Sequence, residues 1–168
     1  MTGSRIIPLS EGTFTIDKTK RFVPFNEGTD KLKDRSSGSL LVEIQPFVVI
    51  TSKDILLLDT GLGFQKNGIL QLHQNLMDAG ISLSDITKVL VTHLHKDHAG
   101  GLGEERDELG ARLSMPNAIY YVQQDELAFA FEKSFPSFIA EELECRRHNE
   151  QMHLLEGDGL SGDYVEDR

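Results

Sequence analysis

Between Val89 and Leu102 the chain reads VLVTHLHKDHAGGL. Four candidate ligands, His93, His95, Asp97 and His98, fall within six residues, after an apolar run and just before two glycines. On an extended backbone alternate residues point the same way, so His93 and His95 should project together from the end of the KVLV strand and form two corners of a metal site. Asp97 repeats the spacing, and His98 follows where the chain begins to turn, so this second pair can face a second ion beside the first. Imidazole and carboxylate suit Zn²⁺, and also Mn²⁺ or iron. Gly100 and Gly101 remove side chains beside the site and let the backbone turn tightly. The plain alternative is a polar turn with solvated histidines. A lone His-x-His would leave that reading standing. The full His-x-His-x-Asp-His set at the end of a buried strand has few structural uses outside metal binding.

The elements that must position this cluster read as α/β. GTFTI alternates, and SLLVEI (39–44), FVVIT (47–51) and ILLLDT (55–60) are strand-like runs with short breaks between them. Ser52-Lys53-Asp54 predicts a hairpin turn between the last two. ILLLD is apolar on both faces and is expected to be an interior strand. From Asn67 the period changes: Ile69, Leu70, Leu72, Leu76 and Met77 recur at helical spacing, and Gly80 is a fitting C-terminal stop. His73 lies on this helix and reads as structural or solvated. KVLV follows as a buried strand, so 58–93 reads as a β-loop-α-turn-β crossover with parallel pairing. Beyond the glycines, EERDELGARLSM reads as an irregular or helical surface segment, NAIYYV as a strand, QDELAFAF as the start of a helix, and SFPSFIAEELECRRHNEQM as a further helix around Pro136.

Residues 17–38 are polar, rich in turn formers and without a clear period, which predicts a long loop. Phe22, Pro24 and Phe25 within it can tuck onto the core or cap a pocket. The 168 residues show no repeat, low-complexity tract or linker, and read as a single unit. Net charge is −10, a poor basis for binding nucleic acid or an anionic membrane. No apolar run is long enough to span a bilayer, and the start lacks a signal-peptide core, so a cytoplasmic protein is expected. The single cysteine, Cys145, excludes an internal disulfide and a cysteine metal cluster, and reads as an ordinary helix residue.

THLHKDHAGG resembles the metal signature of the metallo-β-lactamase superfamily, and LLLDTG resembles the earlier strand of that superfamily, which ends in an aspartate beside the site. The resemblance runs from about Ser39 onward and is nearest to the lactonase-like and glyoxalase-II-like hydrolases, as NLMDAGI before the metal strand and PNAIYYVQQDE after it suggest. It implies an αββα sandwich of two βα halves, of which this chain resembles the first, N-terminal half, with a mixed sheet and flanking helices. It implies His93 and His95 on a first metal and Asp97 and His98 on a second. Asp59 would be the aspartate that orients the motif, and Asp97 would also steer the attacking water. The implied function is a metal-dependent hydrolase in which a hydroxide on one or two zinc ions attacks an ester, lactone or thioester-type bond of a small-molecule substrate. An iron-dependent oxidoreductase on the same scaffold and a non-catalytic metal-binding fragment are the alternatives.

The superfamily adds a later GH-containing stretch with a third histidine, a bridging aspartate and a last histidine, and none is found here. His148 and His153, in RRHNEQMH, lack that context and read as surface histidines of a charged helix, while Asp158 and Asp163 lie in a turn-rich tail. With half of each ligand set, weak metal binding is expected, together with an uncovered apolar sheet face. The expected partners are a missing C-terminal half or further copies of the chain in a homo-oligomer.

Overall fold

The structure is a computed structural model that describes residues 3–107 and 110–157. In chain order the elements are β1 (Arg5–Pro8), β2 (Gly12–Ile16), β3 (Phe22–Pro24), β4 (Leu40–Ile44), β5 (Phe47–Ile50), β6 (Ile55–Leu58), β7 (Gln65–Lys66), β8 (Ile69–Leu70), α1 (Gln71–Asp78), β9 (Lys88–Leu90), α2 (Lys96–Ala99), β10 (Gly103–Asp107), β11 (Gly110–Leu113), β12 (Ile119–Gln123), α3 (Gln124–Lys133), α4 (Ala140–Arg146) and β13 (Met152–Leu155).

The main sheet has six strands in the order β1-β5-β6-β9-β12-β13. It is mixed: β1, β5 and β6 pair antiparallel, and β6, β9, β12 and β13 pair parallel. The β5–β6 hairpin turns where expected, closed by Thr51 N–H donating to the Asp54 carbonyl. The β6–α1–β9 unit gives the expected parallel pairing, Leu57 opposite Val89, and Gly80 ends α1 in the left-handed region at φ +76°. One sheet face, carrying Val48, Leu57, Val89, Tyr120 and Val122, packs against Leu72 and Leu76 of α1, Leu127 and Ala130 of α3 and Leu143 of α4. The alternate residues point the other way. On that face Ile6, Phe47 and Ile119 are exposed, and Val49, Leu56, Leu58 and Leu90 are only half-buried. No helix among the described residues is long and apolar enough to cross a membrane.

Four expectations need correction. The 17–38 segment is not all loop, because β3 pairs with β2, which also pairs with β4, in a three-stranded antiparallel sheet. Phe22 packs edge-on against Phe14 there, the contact that lets an otherwise polar stretch hold strand form. Within the segment that begins EERD, β10 and β11 pair antiparallel rather than forming an irregular or helical stretch. Its helix formers are overridden because the hairpin base is anchored, with Leu113 buried and Ser114 N–H donating to the Leu102 carbonyl. The helix around Pro136 is shorter than expected. Residues 135–137 form a turn, since proline has no N–H to continue a helix, and α4 starts only at Ala140. At its other end α4 stops at Arg146, and after the turns closed by Asn149 N–H on the Arg146 carbonyl and Met152 N–H on the Asn149 carbonyl, His153 lies not on a helix but on β13, which pairs parallel to β12. Cys145 does lie on α4, and His73 is a buried residue of α1.

Glu11 ties the N-terminal segment to the turn after β6. Its Oε2 accepts from the Leu62 N–H at 2.6 Å, while Oε1 is buried without a hydrogen-bond partner. Burial pushes its pKa up to about 7, against the backbone hydrogen bond. A carboxyl whose folded pKa is raised favours the fold at acid pH and loses that contribution as pH rises through the folded value. The metal-free protein should therefore lose stability between about pH 4.5 and 7, by up to roughly 3 kcal/mol at about 1.4 kcal/mol per pKa unit. Glu11→Gln keeps an acceptor for Leu62 and should flatten that part of the profile, as read by thermal melting at several pH values.

Candidate metal centre

The cluster sits beyond the carboxyl ends of the parallel strands, where open α/β sheets leave a crevice. β6 leads into Asp59, β9 into residues 91–95, and β12 into α3. β9 ends at Leu90, so His93 and His95 stand on the irregular segment after the strand rather than on the strand itself. Alternation still holds there. Leu94 is buried at 1 % exposure, and the flanking histidine rings meet at a centroid distance of 4.8 Å. Asp97 does not continue the extended spacing, because it and His98 are carried on the single turn of α2. The helical turn brings His98 back over His93, with ring centroids 3.9 Å apart.

Backbone contacts hold this segment from three sides. The Glu126 carboxylate of α3 accepts from the Leu94 N–H at 2.9 Å. The Ser137 carbonyl accepts from the Lys96 N–H at 2.9 Å, and the His98 carbonyl accepts from the Thr60 N–H at 2.7 Å. The Gly100 N–H donates to the Gly61 carbonyl at 2.8 Å. The two glycines of the motif serve close approach rather than unusual dihedrals: Gly100 has φ −65°, but a Cβ there would stand 2.3 Å from the Leu62 carbonyl oxygen. A Cβ on Gly101 would stand 2.3 Å from that of Thr60.

Asp59 organises the side chains. It adopts φ +61°, a left-handed conformation in which aspartate is among the few tolerated non-glycine residues. Its Oδ1 accepts from the Thr92 N–H at 2.7 Å and from the Thr92 hydroxyl at 2.9 Å. Its Oδ2 faces His98 Nδ1 at 2.8 Å. The Thr92 hydroxyl also lies 3.2 Å from His93 Nδ1. With the hydroxyl proton given to Asp59, the hydroxyl oxygen accepts from His93 Nδ1–H. Both rings then carry their proton on Nδ1 and keep Nε2 as a lone-pair nitrogen, the form a metal ligand needs. Thr92 and Glu126 were not foreseen from the sequence. The only signals were a hydroxyl residue directly before His93 and an acid in the first turn of α3.

The titrations follow from these contacts. The hydrogen bond to Asp59 holds the His98 pKa above its ordinary value, against burial. Burial, and then the neighbouring His98 and His95, hold that of His93 below. Lys96, between His95 and Asp97 in sequence, is lowered chiefly by burial.

Among the described residues no group of three or more His, Cys, Asp or Glu side chains already stands as a metal-ligand set. The pairs can nevertheless be tested against metal geometry. His93 Nε2 and His95 Nδ1 face each other at 3.2 Å. Two nitrogens on one tetrahedral zinc, each about 2.05 Å from it, lie about 3.3 Å apart. His98 Nε2 and Asp97 Oδ2 are 3.7 Å apart, a little wider than one tetrahedral ion requires. The donor types and the first spacing fit zinc. The structure brings together all five residues expected from the sequence. His148 and His153 are elsewhere occupied, the first against Arg147 and the second ring-packed on Tyr121. Asp158 and Asp163 lie outside the described residues.

The family model of the metallo-beta-lactamase superfamily matches residues 42–161, most of the chain. The chain belongs to that superfamily. Among solved structures it resembles AidC, a dizinc quorum-quenching lactonase in complex with a product (TM-score 0.63, 23 % identity, 92 % of this chain and 59 % of that one). It also resembles a probable metal-dependent hydrolase from Staphylococcus aureus (TM-score 0.58, 21 % identity, 93 % and 60 %) and the hydrolase AbOPH of the beta-lactamase superfamily (TM-score 0.55, 28 % identity, 78 % and 45 %). No curated protein matches the sequence. The chain thus spans 59 % of the lactonase and less than two thirds of each of the other two solved proteins.

If Asp59 sets the ring orientations, Asp59→Asn should weaken zinc binding by about 10–100-fold, the usual effect of losing such a partner. In the metal-free variant the His98 pKa should fall towards the ordinary histidine value, as read by NMR titration. Unchanged zinc affinity with an unchanged His98 titration would show that Asp59 has no such role.

Proposed function

We propose that the chain forms part of a metal-dependent hydrolase that opens an ester, lactone or thioester-type bond of a small molecule. The facing pair His93 Nε2 and His95 Nδ1, at the separation of two nitrogens on one zinc, carries this reading. In it these two histidines hold a first ion, and Asp97 and His98 Nε2 hold a second. Zinc is the ion that best suits this donor set. When bound, it supplies Lewis-acid polarisation of the scissile carbonyl and brings the pKa of a water molecule towards neutrality.

The residues of the chain do the remaining work. Asp59 and Thr92 keep the His93 and His98 protons on Nδ1, away from the ions. Asp97 accepts a proton of the attacking water and so aims its lone pair at the carbonyl carbon. Gly100 and Gly101, pressed against the turn after β6, keep α2 close to the sheet, so the two ligand pairs stay adjacent.

Two observations support a second βα unit in the working enzyme. Each proposed ion has only two ligands here, whereas a catalytic zinc ordinarily takes three from the protein. The sheet face bearing Ile6, Phe47 and Ile119 is only partly covered within the described residues, with Tyr121 buried on it and Leu56, Leu58 and Leu90 half-buried. A further stretch of polypeptide or another chain lying on that face would bring the remaining ligands.

Replacing His93 and His95 together by alanine should abolish zinc binding, measured by calorimetry, and any lactone or ester hydrolysis. Circular dichroism should stay near that of the parent, because neither side chain belongs to the apolar core. Full metal content in the double variant would refute the assignment.

A further inference from the structure

One cation stands beside the acidic and imidazole groups of the cluster without a counter-ion of its own among the described residues. The chain carries net charge −10, with 27 acidic residues against 17 Lys and Arg. Yet Lys96 lies between two of the proposed ligands, and its ammonium makes no hydrogen bond or ion pair among the described residues. Instead it lies over two phenyl rings, 5.5 Å from the centroid of Phe22 and 6.0 Å from that of Phe135. A second cation, Lys20, is near enough to disfavour the charge on Lys96. Lys20 belongs to the turn between β2 and β3, followed directly by Arg21 and then by Phe22. Asp17 starts that turn, but its carboxylate is engaged by the N–H and hydroxyl of Thr19 and faces Lys18. The other acid close to Lys96 is Asp97, whose carboxylate lies 3.7 Å from His98 Nε2 and makes no ion pair with the Lys96 ammonium.

An acidic protein that leaves such cations unpaired beside its reactive cluster has a ready receptor for an anion. Phenyl rings beside Lys96 attract its ammonium but do not neutralise it, so the charge remains available. Phe135 is 81 % exposed, a large apolar surface at the same spot. The pairing of free cation and exposed ring fits a ligand with a charged end and an apolar body.

We propose that the substrate of this site carries a fixed negative charge, a carboxylate or phosphate on an apolar ester or lactone body, and that Lys96, with Lys20 near it, selects that charge. The proposal rests on the hydrolase reading for the word substrate, but the anion receptor itself is a property of the metal-free chain. Lysine acts as a point charge rather than a fork, so either anion satisfies it. The fixed cation also implies that neutral analogues of the same shape bind less well.

The test uses metal-free protein, so that an anion cannot simply ligate zinc. Amide NMR spectra are followed during titration with monomethyl succinate, methyl phosphate and the neutral dimethyl succinate. The expected result is saturable movement of the Lys20, Arg21, Phe22 and Lys96 amides with at least one anion, and not with the neutral diester. Which anion binds identifies the charged group. Lys96→Met, which keeps an unbranched stem between the rings, should weaken anion binding about tenfold, the equivalent of about 1.4 kcal/mol. Equal response to the neutral diester, no saturable response to either anion, or undiminished binding by Lys96→Met would overturn the proposal. A zinc titration of the same parent sample separates the two readings. Zinc uptake without anion selection removes this inference alone, and anion selection together with full zinc content in the His93→Ala/His95→Ala variant removes the hydrolase reading alone.

Discussion

The site depends on one carboxylate. Asp59 reaches from the end of β6 to Thr92 after β9 and to His98 on α2, and through the Thr92 hydroxyl to His93. These contacts join residues 33 and 39 positions apart in sequence, across two parallel strands. A carboxylate is suited to the task because it accepts at both oxygens and donates at neither. Each histidine it reaches, directly or through the hydroxyl, must therefore present Nδ1–H and keep Nε2 bare. The left-handed backbone of Asp59 follows from the same demand, since the chain must turn sharply off the strand to aim the carboxylate at its neighbours.

Packing around this carboxylate leaves no slack. The turn after β6 and the motif glycines approach until carbonyl oxygens occupy the places of absent Cβ atoms. Glu11 clamps the far side of the same turn from the N-terminal segment. The cluster is thus set by backbone held against backbone, with side-chain hydrogen bonds choosing tautomers. A metal meeting such a cluster would find rings already aimed, which reduces the ordering needed on binding.

Much of this was legible in the sequence, for physical reasons. The strands from β4 to β6, helix α1 and strand β9 announce themselves through period and turn residues, since each buries one face or both. His93, His95, Asp97, His98 and Asp59 were legible because their types and spacing have few other uses. What could not be read were partners fixed by three-dimensional proximity. Thr92 and Glu126 act through hydrogen bonds made only in the folded chain, with no period or motif behind them. The β10–β11 hairpin was hidden because its charged residues are good helix formers, and only its anchored base decides otherwise. His153 sits in a charged run that resembles a helix, yet turns at Asn149 end α4 at Arg146 and start β13. The spacing of Asp97 matched an extended chain, yet a single helical turn brings it and His98 to the same cluster.

The central claim is that His93 and His95 are already paired for one ion and that Asp59 fixes the nitrogen His98 offers to another. A crystal structure of the zinc-loaded chain, with the ions located by anomalous scattering, tests it most directly. The account predicts zinc bound by His93 Nε2 and His95 Nδ1, any second ion at Asp97 and His98 Nε2, and His98 Nδ1 still on Asp59. Zinc held elsewhere, or bound to His98 through Nδ1 with Asp59 displaced, would contradict it.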